Sequence, residues 1–251
     1  HLSLRRQRQM CIRDSTQAAD ETGIPIILQA GPSCRAHTPI PILGKMFRYL
    51  ASQTKTNICC HVDHGYTLDE CYEGIDSGFT SVMFDGSKLT LKENIKISKR
   101  IASRAHKHNI SVEGEIGFVG YDNGKISEGT NIEDAVTFAN KSNIDAMAIS
   151  VGNTHLQTSK KASIDFNKIN LIEAKTKIPL VLHGSSGIPV EQRKKLARKT
   201  KVAKLNIGTE IRMTFGEALR KNLKNNPKTY DRLQLLKPTI KDLTKVTIAR
   251  A

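Results

Sequence analysis

NICCHVDHG (57–65) is an apolar run that ends in two histidines, an aspartate and a glycine. Side chains of a β-strand alternate between its two faces, and a near-continuous apolar run is typical of a parallel strand that is covered on both faces. Asp63 and His64, a carboxylate and an imidazole, therefore stand where a buried strand gives way to a loop. The carboxyl ends of the other strands are therefore candidate positions for functional residues as well.

The same order of apolar run, polar end and amphipathic stretch repeats from residue 16 onward. Seven runs have the composition of strands: 24–30, 57–64, 81–86, 110–117, 146–152, 179–184 and 202–208. Amphipathic stretches of helix composition follow several of them, as at 68–78, 131–143 and 208–225. Successive strand ends from residue 64 to residue 208 lie 22 to 35 residues apart, which is the length of one strand–helix unit.

These units predict an α/β fold, a (β/α)8 TIM barrel, with residues 16–251 as one domain. A chain of 251 residues suits one such barrel. A doubly wound open sheet is the alternative, but no GxGxxG motif follows the first strand. An eighth strand would belong just before residues 16–23, so the prediction is a barrel that lacks its first strand.

The opening segment HLSLRRQRQMCIRDS (1–15) differs in composition from the rest of the chain. It contains four arginines, has little apolar periodicity and lacks the apolar centre of a secretory signal. Its Arg-rich composition leaves a transit peptide open. We expect residues 1–15 to be a non-native or disordered basic segment that stands in place of the native start.

The net charge of +15 raises the question of a nucleic-acid partner. The basic residues are spread along predicted helices such as 92–108 and 191–201, and aromatic residues, which stack on bases, make up only 5% of the chain. We therefore assign the charge to solvated helix faces and to the attraction of small anions. We expect no nucleic-acid partner, and a basic nucleic-acid binder is kept only as a competing hypothesis.

Two further features concern the compartment. No apolar run reaches about 18 residues, so no membrane association is expected. The five cysteines lie in the first third of the chain without a CxxC pair, which is typical of a reduced, cytoplasmic protein rather than of a disulfide framework.

Three histidines, His64, His155 and His183, follow apolar runs at the same end of the predicted barrel. In parallel barrels, side chains from the carboxyl ends of several strands converge on one face. Three neutral imidazoles with an open fourth position are typical of catalytic zinc, and this ligand type favours zinc over magnesium. A single strand-end histidine is more often structural, which is our interpretation of His61. The sequence therefore predicts a zinc site.

Two glycine-rich turns predict an anion site on the same face. HGSSG (183–187) offers glycines and hydroxyls beside backbone N–H groups, and NIGTE (206–210) opens a helix whose N-terminal dipole favours a phosphate. Each turn alone is weak evidence, because glycine is ordinary between strands and helices. In phosphate-binding barrels, however, the loops after the seventh and eighth strands hold the anion. HGSSG and NIGTE are the loops after the seventh and eighth strands once a missing first strand is counted.

Five segments, in order, resemble the class II (zinc-dependent) ketose-bisphosphate aldolases, the family that includes fructose-bisphosphate and tagatose-bisphosphate aldolases. They are HVDHG (61–65), SVMFDGSKLTLKENI (81–95), VEGEIG (112–117), LVLHGSSGIP (180–189) and KLNIGTE (204–210). The resemblance runs from about residue 16 to the C-terminus.

The resemblance implies a role for each matching residue. The three histidines match the catalytic zinc ligands, and Asp63 matches the catalytic acid/base. Asp85 and Glu115 match acidic residues that can hold the metal in an alternative, inward position. The implied substrate and phosphate contacts are Ser33, Leu156, Gly184, Ser185, Ser186, Asn206, Ile207, Gly208 and Thr209.

The resemblance also implies an activity, a cofactor and partners. The activity is reversible aldol cleavage of a ketose 1,6-bisphosphate (fructose or tagatose) to glycerone phosphate and an aldehyde such as glyceraldehyde 3-phosphate. The cofactor is Zn²⁺, with a monovalent cation near the phosphate loops as a further expectation. The partners are a small sugar phosphate and other copies of the chain in a homodimer or homotetramer. Two alternatives stay open: another zinc barrel lyase or hydrolase acting on a phosphorylated sugar, and a non-catalytic or truncated aldolase-like barrel.

Three segments depart from the family pattern. GNTHL (152–156) has Leu156 where the family has a glycine, and Gly208 replaces a common acid. The loop VGYDNGK (119–125) stands where the family usually has an acidic pair, and Asp122 is the candidate to substitute for it. The choice of substrate and the second proton-transfer residue are left open by these departures.

The C-terminal stretch 227–251 carries apolar residues at helical spacing. We expect it to form a packing helix, buried against its own barrel or against another copy. The stripe consists of Leu233, Leu235, Leu236, Ile240, Leu243 and Val246.

Overall fold

The computed structural model describes residues 8–121, 127 and 129–250, and side chains from residue 12 onward. Within this part of the chain there are seven strands: β1 Ile26–Ala30, β2 Ile58–Gly65, β3 Ser81–Phe84, β4 Ser111–Ile116, β5 Ala146–Ile149, β6 Leu180–Leu182 and β7 Val202–Leu205. The helices are α1 Arg8–Thr22, α2 Pro32–Arg35, α3 Ile40–Ser52, α4 Leu68–Asp76, α5 Leu91–Ala105, α6 Ile132–Ser142, α7 Phe166–Lys175, α8 Val190–Lys199, α9 Thr209–Asn225, α10 Arg232–Leu236 and α11 Thr239–Ile248. Short 3₁₀ turns lie at His106–His108 and Ser185–Gly187.

The strands follow one another in the sheet in chain order. Strands β3 to β7 pair in parallel, and the register shifts once, between Leu180 and Val181, where β6 meets β7. Strands β3 and β6 are buried along their whole length, as expected for parallel strands that are covered on both faces. The alternation of strand and helix is that of the predicted (β/α)8 TIM-barrel class.

Local sequence signals explain where several helices begin and end. Thr90 and Glu93 form a reciprocal capping box at the start of α5, and Asn131 caps the first turn of α6 through its side chain. Asn109 and Asn143 end the helical segments before β4 and β5 in the left-handed conformation that asparagine tolerates. These short-range signals set the spacing of the strand–helix units.

The described residues divide into two compact units. One contains the chain up to His61, the short stretch Ser77–Phe79 and the chain from Glu210 onward. Its core includes an edge-to-face pair of Phe47 and Phe79, with ring centroids 5.5 Å apart. A second buried cluster joins α9, α10 and α11 through Phe215, Leu236 and Leu243.

The other unit contains Val62–Asp76 and Thr80–Thr209. It holds β3 to β7 and the polar strand ends that the sequence singled out. Its core is the buried faces of these strands and the helices that follow them, and its largest fully buried side chains are Phe84, Phe138, Met83, Ile101, Met147, Ile149, Ile169, Ile172 and Leu180.

The predicted boundary at residue 15 falls inside α1, Arg8–Thr22. Residues 8–15 are helical, so of the two expectations for the segment 1–15, disorder does not hold for this part of it. Ile12 and Ala18 of this helix are buried. Residues 1–7 lie outside the described residues, and a non-native origin of the segment stays a prediction.

The single packing helix expected at the C-terminus is wrong in one respect, because the stretch forms two helices, α10 and α11. Pro238 stands between them, at the N-cap of α11, and proline cannot supply the N–H that a continuous helix would need. The predicted apolar stripe is only partly buried: Leu236 and Leu243 are buried, whereas Leu233 is 67% exposed.

Two findings concern only the part of the chain that the structure describes. No helix there is long and apolar enough to cross a membrane. Of the cysteines there, Cys34, Cys60 and Cys71 are buried and Cys59 is half-buried.

Candidate active site

The ends of two strands and the segment after a third bring together His64, His155 and His183. His64 lies near the end of β2, His183 directly follows β6, and His155 lies in the segment after β5. The ring centroids of His64 and His183 are 4.6 Å apart, and those of His155 lie 5.3 Å and 5.8 Å from them. One ring nitrogen from each lies within 4.8 Å of the others. The three imidazoles can therefore face one small ion.

The backbone at His64 is in an uncommon conformation. Its φ is +52°, a region that is sparsely populated by residues other than glycine. The backbone N–H of His64 donates to Sδ of Met83 at 3.4 Å. Backbone strain of this kind clusters at functional sites, and here it lies at the residue that the sequence identified as a metal ligand.

Carboxylates surround the imidazole of His64. Nδ1 is 2.8 Å from Oδ2 of Asp85 and 3.7 Å from Oε2 of Glu115. Burial acts to lower the pKa of His64, but the charges of Asp63, Asp85 and Glu115 outweigh it and raise the pKa to about 9. His64, Asp85 and Glu115 also form a second group whose ligand atoms lie within 4.8 Å of one another. This group has the composition expected for an inward metal position.

A buried chain of three polar side chains ends at His183. Nε2 of His183 lies 2.8 Å from Oε1 of Glu113, and Nζ of Lys204 donates to Oε2 of the same carboxylate at 2.6 Å. Burial and the nearby charge of His64 lower the pKa of His183, so its imidazole is neutral. Since the lysine keeps Glu113 an acceptor, Nε2 carries the proton and Nδ1 presents a lone pair.

Two buried atoms in this site are without hydrogen-bond partners among the described residues. They are Nδ1 of His183 and Oε2 of Glu115, which lie 3.4 Å apart. Burial and the charge of Asp85 raise the pKa of Glu115 well above its usual range. A buried polar atom without a partner costs free energy, and a divalent cation would satisfy both atoms. The residues present therefore fit a zinc ion held by imidazole nitrogens.

His155 completes the group from a different direction. Burial and the neighbouring His183 and His64 lower the pKa of His155 to about 3, so the ring is neutral and can act as a ligand. Its backbone N–H donates to the carbonyl of Gly120 at 2.8 Å. Its ring is stacked against Tyr121. The segment after β4 thus holds the segment after β5 in place.

Asp63 lies at the edge of the histidine group. Its side chain is 14% exposed, and Oδ1 is 4.0 Å from Nε2 of His64. Nδ2 of Asn206 donates to the same oxygen at 3.3 Å. The carboxylate can therefore meet a substrate beside the metal ligands while the amide fixes its orientation.

The two predicted phosphate turns are joined to each other. The backbone N–H of Ser185 donates to the carbonyl of Asn206 at 3.0 Å. Gly184 has a φ of +63°, and a Cβ there would lie 2.2 Å from the carbonyl oxygen of Thr154, so only glycine fits. The hydroxyl of Ser185 is buried and donates to the carbonyl of Leu182 at 2.8 Å. Both its side chain and its backbone N–H therefore hold the turn, and its contact with a phosphate stays a prediction.

Lys160 brings a cation to the same turn. Its Nζ donates to the carbonyl of Ser186 at 3.4 Å. Lys160 was not predicted from the sequence, although the two consecutive lysines shortly after His155 were a usable signal. On the other side of the turn, Thr209 begins α9 after the half-buried residues Ile207 and Gly208.

The other predicted substrate residues are found in different settings. Leu156 follows His155 with a φ of +58° and a side chain that is 54% exposed. Ser33 lies in the short helix α2, which follows β1, and is exposed. Its role stays a prediction. Asp122 lies outside the described residues.

Comparison with known proteins agrees with the resemblance that these segments carry. The family model for fructose-bisphosphate aldolase class-II matches residues 8–251. The chain belongs to the class II fructose-bisphosphate aldolase family.

Two relatives and one solved structure illustrate what this chain is similar to. A 6-phospho-5-dehydro-2-deoxy-D-gluconate aldolase of Shouchella clausii is 41% identical over 166 residues, which cover 65% of this chain and 56% of that protein. A protein of the same name from Halalkalibacterium halodurans is 35% identical over 226 residues, 86% of this chain and 76% of its own length. The crystal structure of the YdjI aldolase from Escherichia coli K12 matches with a TM-score of 0.80 and 24% identity, over 96% of this chain and 85% of that one. This last likeness confirms the fold class.

Proposed function

We propose that this chain catalyses the reversible, zinc-dependent aldol cleavage of a phosphorylated ketose to glycerone phosphate and an aldehyde. The observation that carries the proposal is the convergence of His64, His155 and His183 beside the carboxylate of Asp63. Family membership supports an aldolase lyase, and the two joined turns at 184–187 and 206–209 support a phosphorylated substrate.

The three histidines would hold the zinc, which supplies a Lewis acid to polarise the substrate ketone. Asp85 and Glu113 orient the rings of His64 and His183 through hydrogen bonds. Carboxylates in this position fix the tautomer of a ligating imidazole and raise its basicity. The chain thus supplies both the ligands and the groups that aim them.

Asp63 is the proposed acid/base. In cleavage, its carboxylate takes the proton from the hydroxyl group next to the carbon–carbon bond that breaks, and in condensation it returns this proton. The amide of Asn206 donates to Oδ1 of Asp63 and keeps the carboxylate pointed at the same place in both directions. A fixed geometry of this kind reduces the entropy that must be lost in the transition state.

Phosphate binding is assigned to the joined turns. The donors and positive charge come from the backbone N–H groups of Gly184 and Ser186, the first N–H groups of α9 at Thr209, and the ammonium group of Lys160. Binding energy from this remote group would hold the ketone and the breaking bond in register with Asp63. We retain a monovalent cation near these turns as a prediction.

Two substrates are the candidates for assay. The residue pattern favours a ketose 1,6-bisphosphate, fructose or tagatose, with glyceraldehyde 3-phosphate as the aldehyde. The names of the relatives that are 41% and 35% identical favour 6-phospho-5-dehydro-2-deoxy-D-gluconate. The substrate with the larger kcat/KM identifies the activity. A homodimer or homotetramer and a cytoplasmic location are further proposals, which size-exclusion chromatography and cell fractionation would test.

The deciding experiment separates metal binding from proton transfer. Asp63→Ala should keep about one zinc per chain and lose cleavage by roughly 100-fold to 10,000-fold, the usual contribution of a general acid/base. His64→Ala should lose the zinc as well. Zinc content is measured by elemental analysis and cleavage by a coupled assay for glycerone phosphate, with the exposed Asp69→Ala as the matched control.

Different results would reject different parts of the proposal. Normal cleavage by Asp63→Ala would remove Asp63 from its role. The absence of zinc after growth in zinc-replete medium would reject the metal site. A chain that binds zinc but cleaves none of these substrates would favour the non-catalytic alternative.

A further inference from the structure

The three candidate zinc ligands are held in two different ways. Two of the rings donate a hydrogen bond to a carboxylate, that of His64 to Asp85 and that of His183 to Glu113. His155 has no such partner: in the part of the chain that the structure describes, its imidazole makes no hydrogen bond. The neighbour that it has instead is an aromatic ring, that of Tyr121.

The contact between Tyr121 and His155 involves both side chain and backbone. The ring centroids are 5.1 Å apart, and the ring planes are inclined by 30°, a stacked arrangement. The two residues form an isolated parallel β-bridge, and the N–H of His155 donates to the carbonyl of Gly120. The ring of Phe118 is also near Tyr121, with the two centroids 6.2 Å apart. Tyr121 therefore has a second aromatic neighbour besides His155.

We propose that Tyr121 is a positioning residue for His155. Its ring face limits the rotation of the imidazole and keeps a ring nitrogen of His155 directed at the point shared with His64 and His183. The carboxylates of Asp85 and Glu113 orient those other two ligands in the same sense. This inference rests on the proposed function, because it concerns the same zinc site. Outer-shell partners that orient a metal ligand by a hydrogen bond typically change metal affinity about 10-fold to 100-fold, and for a stacked ring we expect the lower end of that range.

The ring of Tyr121, rather than its hydroxyl, carries this role. The stacked contact uses the flat face, and aromatic pairs gain attraction from that geometry beyond the burial of their area. Tyr121→Phe should therefore preserve the effect. Tyr121→Leu keeps apolar volume without a flat face, and Tyr121→Ala removes both.

The test measures metal binding without substrate. Zinc affinity is determined by competition with a chromophoric chelator, and the coordination geometry is read from the visible absorption of the cobalt-substituted protein. Tyr121→Phe should match the unaltered chain within about twofold, whereas Tyr121→Leu and Tyr121→Ala should bind zinc about tenfold more weakly. Their cobalt spectra should also change while their thermal unfolding midpoints do not, which a merely structural role would not produce.

Tyr66→Leu is the matched control. Tyr66 is similarly exposed, at 47% against 40% for Tyr121, and its ring lies 6.5 Å from that of His64 in a tilted arrangement rather than a stack. Its zinc affinity should stay within about twofold of the unaltered chain. An equal loss in Tyr66→Leu and Tyr121→Leu would overturn the inference, because the effect would not belong to the stack.

The remaining outcomes are also decisive. If Tyr121→Ala binds zinc as tightly as the unaltered chain, this inference fails while the proposed function stands. If Tyr121→Phe is as weak as Tyr121→Ala, the ring face is not the cause and the inference fails. If the unaltered chain binds no zinc, the proposed function fails and this inference with it.

Discussion

Leu156 adopts a backbone conformation that suits glycine better. Its φ of +58° costs a residue with a Cβ about 1–2 kcal/mol, part of which a glycine would offset by its larger entropy in the unfolded chain. We expect Leu156→Gly to raise the free energy of unfolding by up to about 1 kcal/mol. Urea unfolding measures this difference.

The control at this position is Leu156→Val, whose branched Cβ makes a positive φ more costly, so its free energy of unfolding should fall. A loss of stability in Leu156→Gly would show that the exposed leucine contributes packing that outweighs the strain. The same glycine variant also removes bulk beside the backbone that we assign to phosphate binding, so a lower KM should accompany it.

At the residue scale, the sequence indicated the candidate metal ligands and the candidate acid/base, but not the side chains that position them. Asp63 and the three histidines stand at strand ends, where topology alone predicts convergence. Tyr121 and Lys160 lie in segments whose position depends on which loops meet, and no periodicity records that. Glu113 was visible as a charge within an apolar strand, yet its partner on another strand was not.

At the element scale, strands β4, β6 and β7 are linked by the chain Lys204–Glu113–His183. All three side chains are nearly fully buried. Glu113→Gln removes the carboxylate of a buried ion pair with Lys204, so we expect the free energy of unfolding to fall by about 3–5 kcal/mol. Zinc affinity should fall about 10-fold to 100-fold, because the carboxylate that orients His183 is gone.

The double variant Glu113→Gln with Lys204→Met separates these two effects. It contains no uncompensated buried charge, so most of the lost stability should return, while zinc affinity stays low. Urea unfolding of the four chains of this cycle gives the coupling energy, and chelator competition gives the affinity. Full recovery of zinc affinity in the double variant would show that Glu113 does not act through His183.

The strands themselves were predicted in the right places, but several were predicted too long. The runs 146–152 and 179–184 contain the strands Ala146–Ile149 and Leu180–Leu182. The reason is that the chain stays buried after the ladder ends: Val151 and His183 are almost inaccessible although they lie in loops. Apolar composition reports burial, whereas a strand ends where its hydrogen bonds end.

At the scale of the whole molecule, the regular recurrence of strand ends was sufficient to predict the fold class, and the comparisons confirm it. This recurrence tolerates an error in any one strand, because it depends on five spacings rather than on one. The C-terminal stretch has no such repeat, so a single proline at position 238 was enough to make the one-helix prediction wrong. The N-terminal segment likewise has no repeat to place it.

Asp14 in that segment links stability to pH. It is buried in α1, and neither carboxylate oxygen has a hydrogen-bond partner among the described residues. Burial, opposed by Arg13, raises its pKa from 3.8 to about 7. The folded state therefore holds the proton more tightly than the unfolded state, and the free energy of unfolding should fall as pH rises through this interval.

Asp14→Asn should remove this part of the pH dependence. Compared with the unaltered chain, the variant should have a similar free energy of unfolding near about pH 4. The increase in its free energy of unfolding should be largest above about pH 7. Urea unfolding at the two pH values checks this, with the exposed Asp242→Asn as control. If the free energy of unfolding changes with pH equally in the variant and in the unaltered chain, the carboxylate of Asp14 reaches water. A partnerless buried carboxylate is a local conflict between sequence and fold.

The close approach at Gly184 has a consequence for protein engineering. A side chain added there would strike the carbonyl of Thr154 at 2.2 Å and would push on the segment that carries His155. The anion-binding turn and the histidine segment therefore cannot be redesigned independently at this point. A library intended to change which sugar phosphate is cleaved should leave Gly184 fixed and vary the exposed position Leu156.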